Sequence, residues 1–182
     1  MFIMFLLSAS IGLMVIGNIT KIASSQIRIT DTALLAMLVS FLAITNTFGR
    51  VLGGLMSDKI GRINALFVVF FLQMLNMIGF MFYKNLTALV VGIILIGFCY
   101  GTLLSVFPAL TADQYGLKNY GSNYGILYLS WGLSGVVAPM LADFFYDRTG
   151  SFNTAYIICV VMLALALVVN FFLKKDIASL TK

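Results

Sequence analysis

Ile44-Thr45-Asn46-Thr47-Phe48-Gly49-Arg50-Val51-Leu52-Gly53-Gly54-Leu55-Met56 runs directly into Ser57-Asp58-Lys59-Ile60-Gly61-Arg62. Arg50 is the single charge in the first of these stretches, near the end of a long apolar run. A guanidinium in or near hydrocarbon costs about 2.5 kcal/mol or more. A chain keeps such a charge when it faces a watery cavity, a partner or an anionic ligand. The stretch reads as a membrane-crossing helix that carries a site for a small anion. The competing reading is an arginine that snorkels to the interface and supports the following loop.

The rest of the chain agrees with a membrane setting. It has 182 residues, 62% of them hydrophobic and 9% charged, with a mean hydropathy of +1.07. A soluble domain carries about 25% charged residues, so most of this surface must meet lipid. A transmembrane barrel would alternate apolar and polar residues, whereas this chain has unbroken apolar blocks. About 20 apolar residues make one helical span. Six spans are expected, at roughly 2–20, 32–56, 64–83, 86–109, 123–146 and 154–173. The joins are Lys21 to Asp31, Ser57 to Ile63, Lys84-Asn85, Thr111 to Ser122 and Asp147 to Asn153. The fold class is therefore all-α and polytopic, one six-helix bundle over residues 1–182 with the lipid bilayer as its first partner. Met1-Phe2-Ile3-Met4 lacks the basic region of a cleaved signal. A chain that opens almost inside a span is expected to be a piece of a longer protein.

Charge sets topology here rather than nucleic-acid binding. The net charge is +5, but the basic residues form no run. Lys59, Arg62, Lys118, Lys174, Lys175 and Lys182 fall on the side of both termini, against Lys21, Arg28, Lys84 and Arg148 on the other. The positive-inside rule then puts both termini in the cytoplasm, with the plasma membrane as the expected location. There is no His and no Glu. A His-based zinc site is excluded, no cofactor is expected, and the usual general base is missing, so no enzyme is expected. Cys99 and Cys159 fall in spans and read as buried free thiols.

Small residues punctuate the spans at Gly92, Gly97, Gly121, Gly125, Gly132 and Gly135. Such residues let helix backbones approach closely in lipid, and close packing is the plainer reading of them. A moving gate is the other, because Pro139 removes a helical hydrogen bond and is expected to kink the fifth span. Gln73 and Asn76 are expected to bond between helices. Asn46 and Arg50 stand four apart and share a helix face. Tyr124, Tyr128, Trp131 and Gly135 follow at spacings of 4, 3 and 4 and share another. Those aromatic residues either wall a binding cavity or form an interfacial belt. Tyr100 is a further cavity candidate. In the polar stretch, Asp58 can pair with Arg62 or cap a helix N-terminus.

Gly54-Leu55-Met56-Ser57-Asp58-Lys59-Ile60-Gly61-Arg62 resembles the loop signature of the major facilitator superfamily, which follows the second span of each half. More closely, the chain resembles the carboxyl-terminal half of the oxalate/formate antiporter family. The likeness rests on Gly12 to Asn18, on Asn46 to Arg62, and on Thr111 to Gly116 with Asn119 to Tyr128. It implies alternating-access exchange of small carboxylates, with Gly54, Asp58, Lys59, Gly61 and Arg62 forming the conformational loop. It also implies that Arg50 holds the anion. The family's second cation, a lysine shortly after the Asn-Tyr-Gly motif, corresponds to Trp131 here. One cation suits a monocarboxylate better than a dianion such as oxalate.

The expectation is half of a secondary active transporter for a small organic anion, with substrate held by Arg50, Asn46, Tyr100, Tyr124, Tyr128 and Trp131. Its partner would be a missing amino-terminal six-helix half or a second copy of itself. The alternatives are a non-transporting structural or sensory membrane subunit and an inactive truncated remnant.

Overall fold

Lipid cannot hydrogen-bond a backbone, so a chain crossing it must satisfy its peptide groups internally. The computed structural model describes residues 1–180, with side chains described as far as Lys175. Lys182 and the side chain of Asp176 lie outside the described residues. Six helices follow one another: α1 Phe2–Ile27, α2 Thr32–Ile60, α3 Arg62–Phe80, α4 Leu86–Tyr115, α5 Tyr120–Thr149 and α6 Asn153–Leu180. All six are long and apolar enough to cross a membrane. There is no strand among the described residues.

The expected spans are found, but several helices outrun them. Lys21 to Ile27 was assigned to a join and is instead the last part of α1. Ser57 to Ile60 continues α2, and the break before α3 shrinks to Gly61. Gly61 has φ 88°, a conformation that costs a residue with a Cβ and suits glycine. Thr111 to Tyr115 likewise extends α4. Hydropathy reports the apolar thickness crossed, and polar helical ends that project beyond it look like loops.

α1 and α4 form the centre, with α5 and α6 against α1, and α2 and α3 against α4. Phe5 stacks on Phe107 at 4.3 Å between ring centroids and joins the two central helices. The tightest seam lies between α2 and α4. A Cβ on Gly49 would overlap the Phe98 carbonyl, and one on Gly101 would overlap the Asn46 carbonyl. Gly53 and Gly97 are equally close to Thr102 and Thr45. Thr102 Oγ1 donates to the Gly49 carbonyl at 3.1 Å, across the seam. Two Gly-xxx-Gly pairs thus bring the backbones together, which in lipid replaces the hydrophobic drive absent between helices.

At the ends of α1, α3 and α6, Gln26 ties three segments. Its amide donates to the carbonyls of Phe80 and Tyr83 and accepts from the Tyr156 hydroxyl. Asn76 donates to Gly92 O at 2.8 Å and accepts from the Tyr83 hydroxyl, as an interhelix residue should. Gln73, expected to do the same, is buried with neither amide atom bonded to a described residue. Cys99 and Cys159 are buried and free.

Candidate functional site

α2 has three faces. Leu42, Gly49, Gly53 and Ser57 are buried toward α4. Phe41, Ile44, Phe48, Val51 and Leu55 form an exposed apolar row suited to lipid. Between them lies a third row, Ser40, Ala43, Thr47 and Arg50, exposed although it is small and polar. An exposed polar row on a membrane helix belongs against water or protein rather than acyl chains.

α5 repeats the pattern. Ser130, Ser134, Ala138 and Ala142 are buried, and Ser134 Oγ donates to Leu6 O of α1 at 2.8 Å. Ile126, Leu129, Leu133 and Met140 are exposed and apolar. The third face holds Tyr120, Tyr124, Tyr128 and Trp131, together with glycines. Successive rings lie 5.6, 5.3 and 4.7 Å apart between centroids, forming one row of two stacked pairs joined by a tilted contact between Tyr124 and Tyr128. A Cβ on Gly121, Gly125 or Gly132 would meet nothing within 4 Å. Close packing is therefore not their role within this chain, whereas Gly92 and Gly97 do pack tightly, against Tyr83 and Thr45.

Arg50 lies ten residues from the end of α2 and Trp131 eleven from the start of α5. At 1.5 Å per residue both sit about 15 Å in from the same end of the bundle, near mid-membrane depth. The Arg50 charge lies within electrostatic range of the Tyr100 and Tyr124 hydroxyls. Its Nε donates to Asn46 Oδ1 at 3.2 Å. Among the described residues that bond leaves both terminal nitrogens free, and together they form the fork that grips a carboxylate. Among the described residues Arg50 has no ion-pair partner.

The structure thus brings together most of the residues expected at the site, with two adjustments of role. Tyr100 is buried, with 3% exposure, and its ring fills the space left by Gly12. Trp131 Nε1 donates to the Tyr100 hydroxyl at 2.6 Å, so the indole N–H is already committed. Sequence reasoning missed this pair because its members are 31 positions apart. It also missed Tyr120, although its spacing continues the aromatic row.

The loop stretch forms a network at the same end of the bundle. Arg62, at the start of α3, pairs with Asp58 and with Asp113 of α4, the latter at 3.1 Å. It also donates to Ser57 Oγ at 2.6 Å. Asp58 does not cap a helix, since Gly61 is the N-cap residue of α3 and no side chain caps it. Lys59 is exposed, and Gly54 rests against Ser105. At the opposite end Lys21 of α1 pairs with Asp143 of α5 at 2.5 Å.

The family model described as Major Facilitator Superfamily matches residues 1–181. Among curated proteins, "Uncharacterized MFS-type transporter YhjX" of Escherichia coli (strain K12) is 33% identical over 135 residues, covering 74% of this chain and 33% of that protein. "Monocarboxylate transporter 14" of Homo sapiens is 30% identical, covering 67% of this chain and 24% of that protein. "Probable nitrate transporter NarT" of Staphylococcus carnosus (strain TM300) is 31% identical, covering 77% and 36%. The chain thus spans about a third or less of the length of these relatives.

Proposed function

This chain belongs to the Major Facilitator Superfamily, and we propose that it is one six-helix half of a secondary transporter for a small organic anion, best a monocarboxylate. The observation that carries this reading is Arg50 itself. It is exposed on the polar row of α2, steadied by Asn46 and unneutralised by any acid among the described residues. Its free fork suits one carboxylate. With Trp131 in place of a second cation, a dianion would keep one charge uncompensated. Tyr128, stacked on Trp131, lines the site, Tyr124 offers a phenol donor one turn away, and the buried Tyr100 holds the Trp131 indole in place.

Transport requires no chemistry on the substrate. Rocking of this bundle against a second six-helix bundle would expose the site to each side alternately. That second bundle is either an amino-terminal half or another copy of this chain. The Arg62 network would hold α2, α3 and α4 as one body during the motion. The excess of basic residues at the Arg62 end supports a cytoplasmic side there, with both termini, and a plasma-membrane exchanger.

The test is uptake of labelled formate, lactate and oxalate into vesicles, comparing the parent with Arg50→Ala. Loss of a charged hydrogen-bond partner should weaken apparent affinity about tenfold to hundredfold. Equal uptake by the two chains would remove Arg50 from the site. The alternative reading is a membrane subunit that does not transport by itself. Crosslinking in membranes separates the two: a lone monomer with no uptake supports the second.

A further inference from the structure

We propose that Tyr120 and Tyr124 form an access track along which a small anion passes from the Arg62 end of the bundle to Arg50. The inference rests on the reading of Arg50 as the anion site and adds a path and a residue to it.

The track is a property of how the rings are stacked. An aromatic ring is negative over its face and positive at its edge. Exposed faces would repel an anion. In α5 the faces are turned on one another in two pairs: Tyr120 lies parallel to Tyr124 with an interplanar angle of 3°, Tyr128 lies at 21° to Trp131, and the two pairs meet at a tilt of 46° between Tyr124 and Tyr128. What remains outward is a row of ring edges and phenol groups. Among the described residues, the hydroxyls of Tyr120, Tyr124 and Tyr128 make no hydrogen bond, whereas those of the half-buried Tyr83 and the buried Tyr156 are satisfied. Three free O–H donors one helical turn apart thus lead to a guanidinium. No carboxylate interrupts the row, because Asp113, the acid of α4 at this end, is paired with Arg62.

The neighbouring strip keeps the way open. Gly121, Gly125 and Gly132 place bare backbone beside the rings, with nothing within 4 Å of where a Cβ would stand. From Tyr120 to Trp131 the climb is about 16 Å, from the helix start to the depth of Arg50. An interfacial belt would need aromatic rings at one level only, and this row spans three turns.

A track changes how fast an anion arrives and leaves without changing how tightly it is held. The chain supplies its own probe, since Trp131 is its one tryptophan and sits at the inner end of the stack. The experiment is stopped-flow Trp131 fluorescence of the full chain in nanodiscs, mixed with sodium formate, lactate or nitrate. Tyr120→Phe keeps the ring stack and removes only the hydroxyl. Association and dissociation rates should fall together, by about threefold to tenfold, the value of one hydrogen bond, with Kd unchanged. Tyr124→Phe should slow association as well. Rates equal to the parent's in both variants would overturn the track and leave the Arg50 site standing. A raised Kd with unchanged association in Tyr120→Phe would also overturn it, by placing that hydroxyl on the bound anion. A parent signal absent for all three anions, or unaltered by Arg50→Ala, would overturn the track and the site together.

Discussion

Glycine serves opposite ends on α2 and on α5. On α2, Gly49 and Gly53 pack on Phe98 and Thr102 of α4, and Gly97 and Gly101 of α4 pack on Thr45 and Asn46, so closely that a Cβ would strike backbone or a threonine. On α5, Gly121, Gly125 and Gly132 face open space. Both helices carry Gly-xxx-Gly spacing, and sequence alone gives them one reading. The difference separates a fixed seam inside the bundle from a surface kept clear. Arg50 borders both, because its backbone lies on the seam and its side chain on the open side.

The largest expected effect breaks the seam. Gly101→Ala puts a methyl group into the Asn46 carbonyl and close to the Arg50 amide. Neither is a flexible side-chain end that can swing away. Overpacking of this kind costs about 1–3 kcal/mol. Thermal unfolding followed by Trp131 fluorescence should show a clear fall in midpoint. Because the methyl pushes on Asn46 and Arg50 themselves, anion binding should weaken in the protein that still folds. An unchanged midpoint would mean that α2 and α4 are less closely packed than described.

A smaller effect is expected at Thr102, whose hydroxyl bridges to Gly49 O and also back to Phe98 O at 2.9 Å. Thr102→Val keeps the shape and removes the donor. Hydrogen bonds between membrane helices average about 0.6 kcal/mol, so the midpoint should drop only slightly. A fall as large as that of Gly101→Ala would make the hydrogen bond, and not the close approach, the main tie of this seam.

How much of this was written in the sequence follows from distance along the chain. The six apolar runs were legible because each helix must cross the same thickness of lipid with its backbone satisfied. Asn46 and Arg50 were legible as neighbours because one helical turn joins them. The Asp58–Arg62 pair was legible for the same reason, since the helix path barely breaks between them. Asp113 with Arg62, Tyr100 with Trp131, and Lys21 with Asp143 were not. Each joins different helices, and their meeting depends on how the bundle packs. The ends of α1, α2 and α4 were misjudged because Lys21, Ser57 to Ile60, and Thr111 to Tyr115 are polar enough to resemble loops while remaining helical.

The smallest expected effect on stability tests the other half of the comparison. Gly132→Ala places its methyl group where nothing lies within 4 Å. The midpoint should stay within about 0.5 kcal/mol of the parent. A helical glycine replaced by alanine can even gain a little, since alanine is the better helix former. Uptake should respond differently. If the open face of α5 lies beside the anion's path and against the opposing bundle, a methyl group there hinders movement that the isolated chain does not register. The expected result is a normal unfolding midpoint with reduced uptake of labelled formate or lactate. A midpoint lowered as far as that of Gly101→Ala would erase the distinction between the two helices, because it would show that Gly132 is packed in the working protein as tightly as Gly101 is packed in the seam. Normal stability together with normal uptake would instead show that the strip is clear but idle, and the anion's route would then have to be sought on the α2 side of Arg50, along Thr47, Ala43 and Ser40.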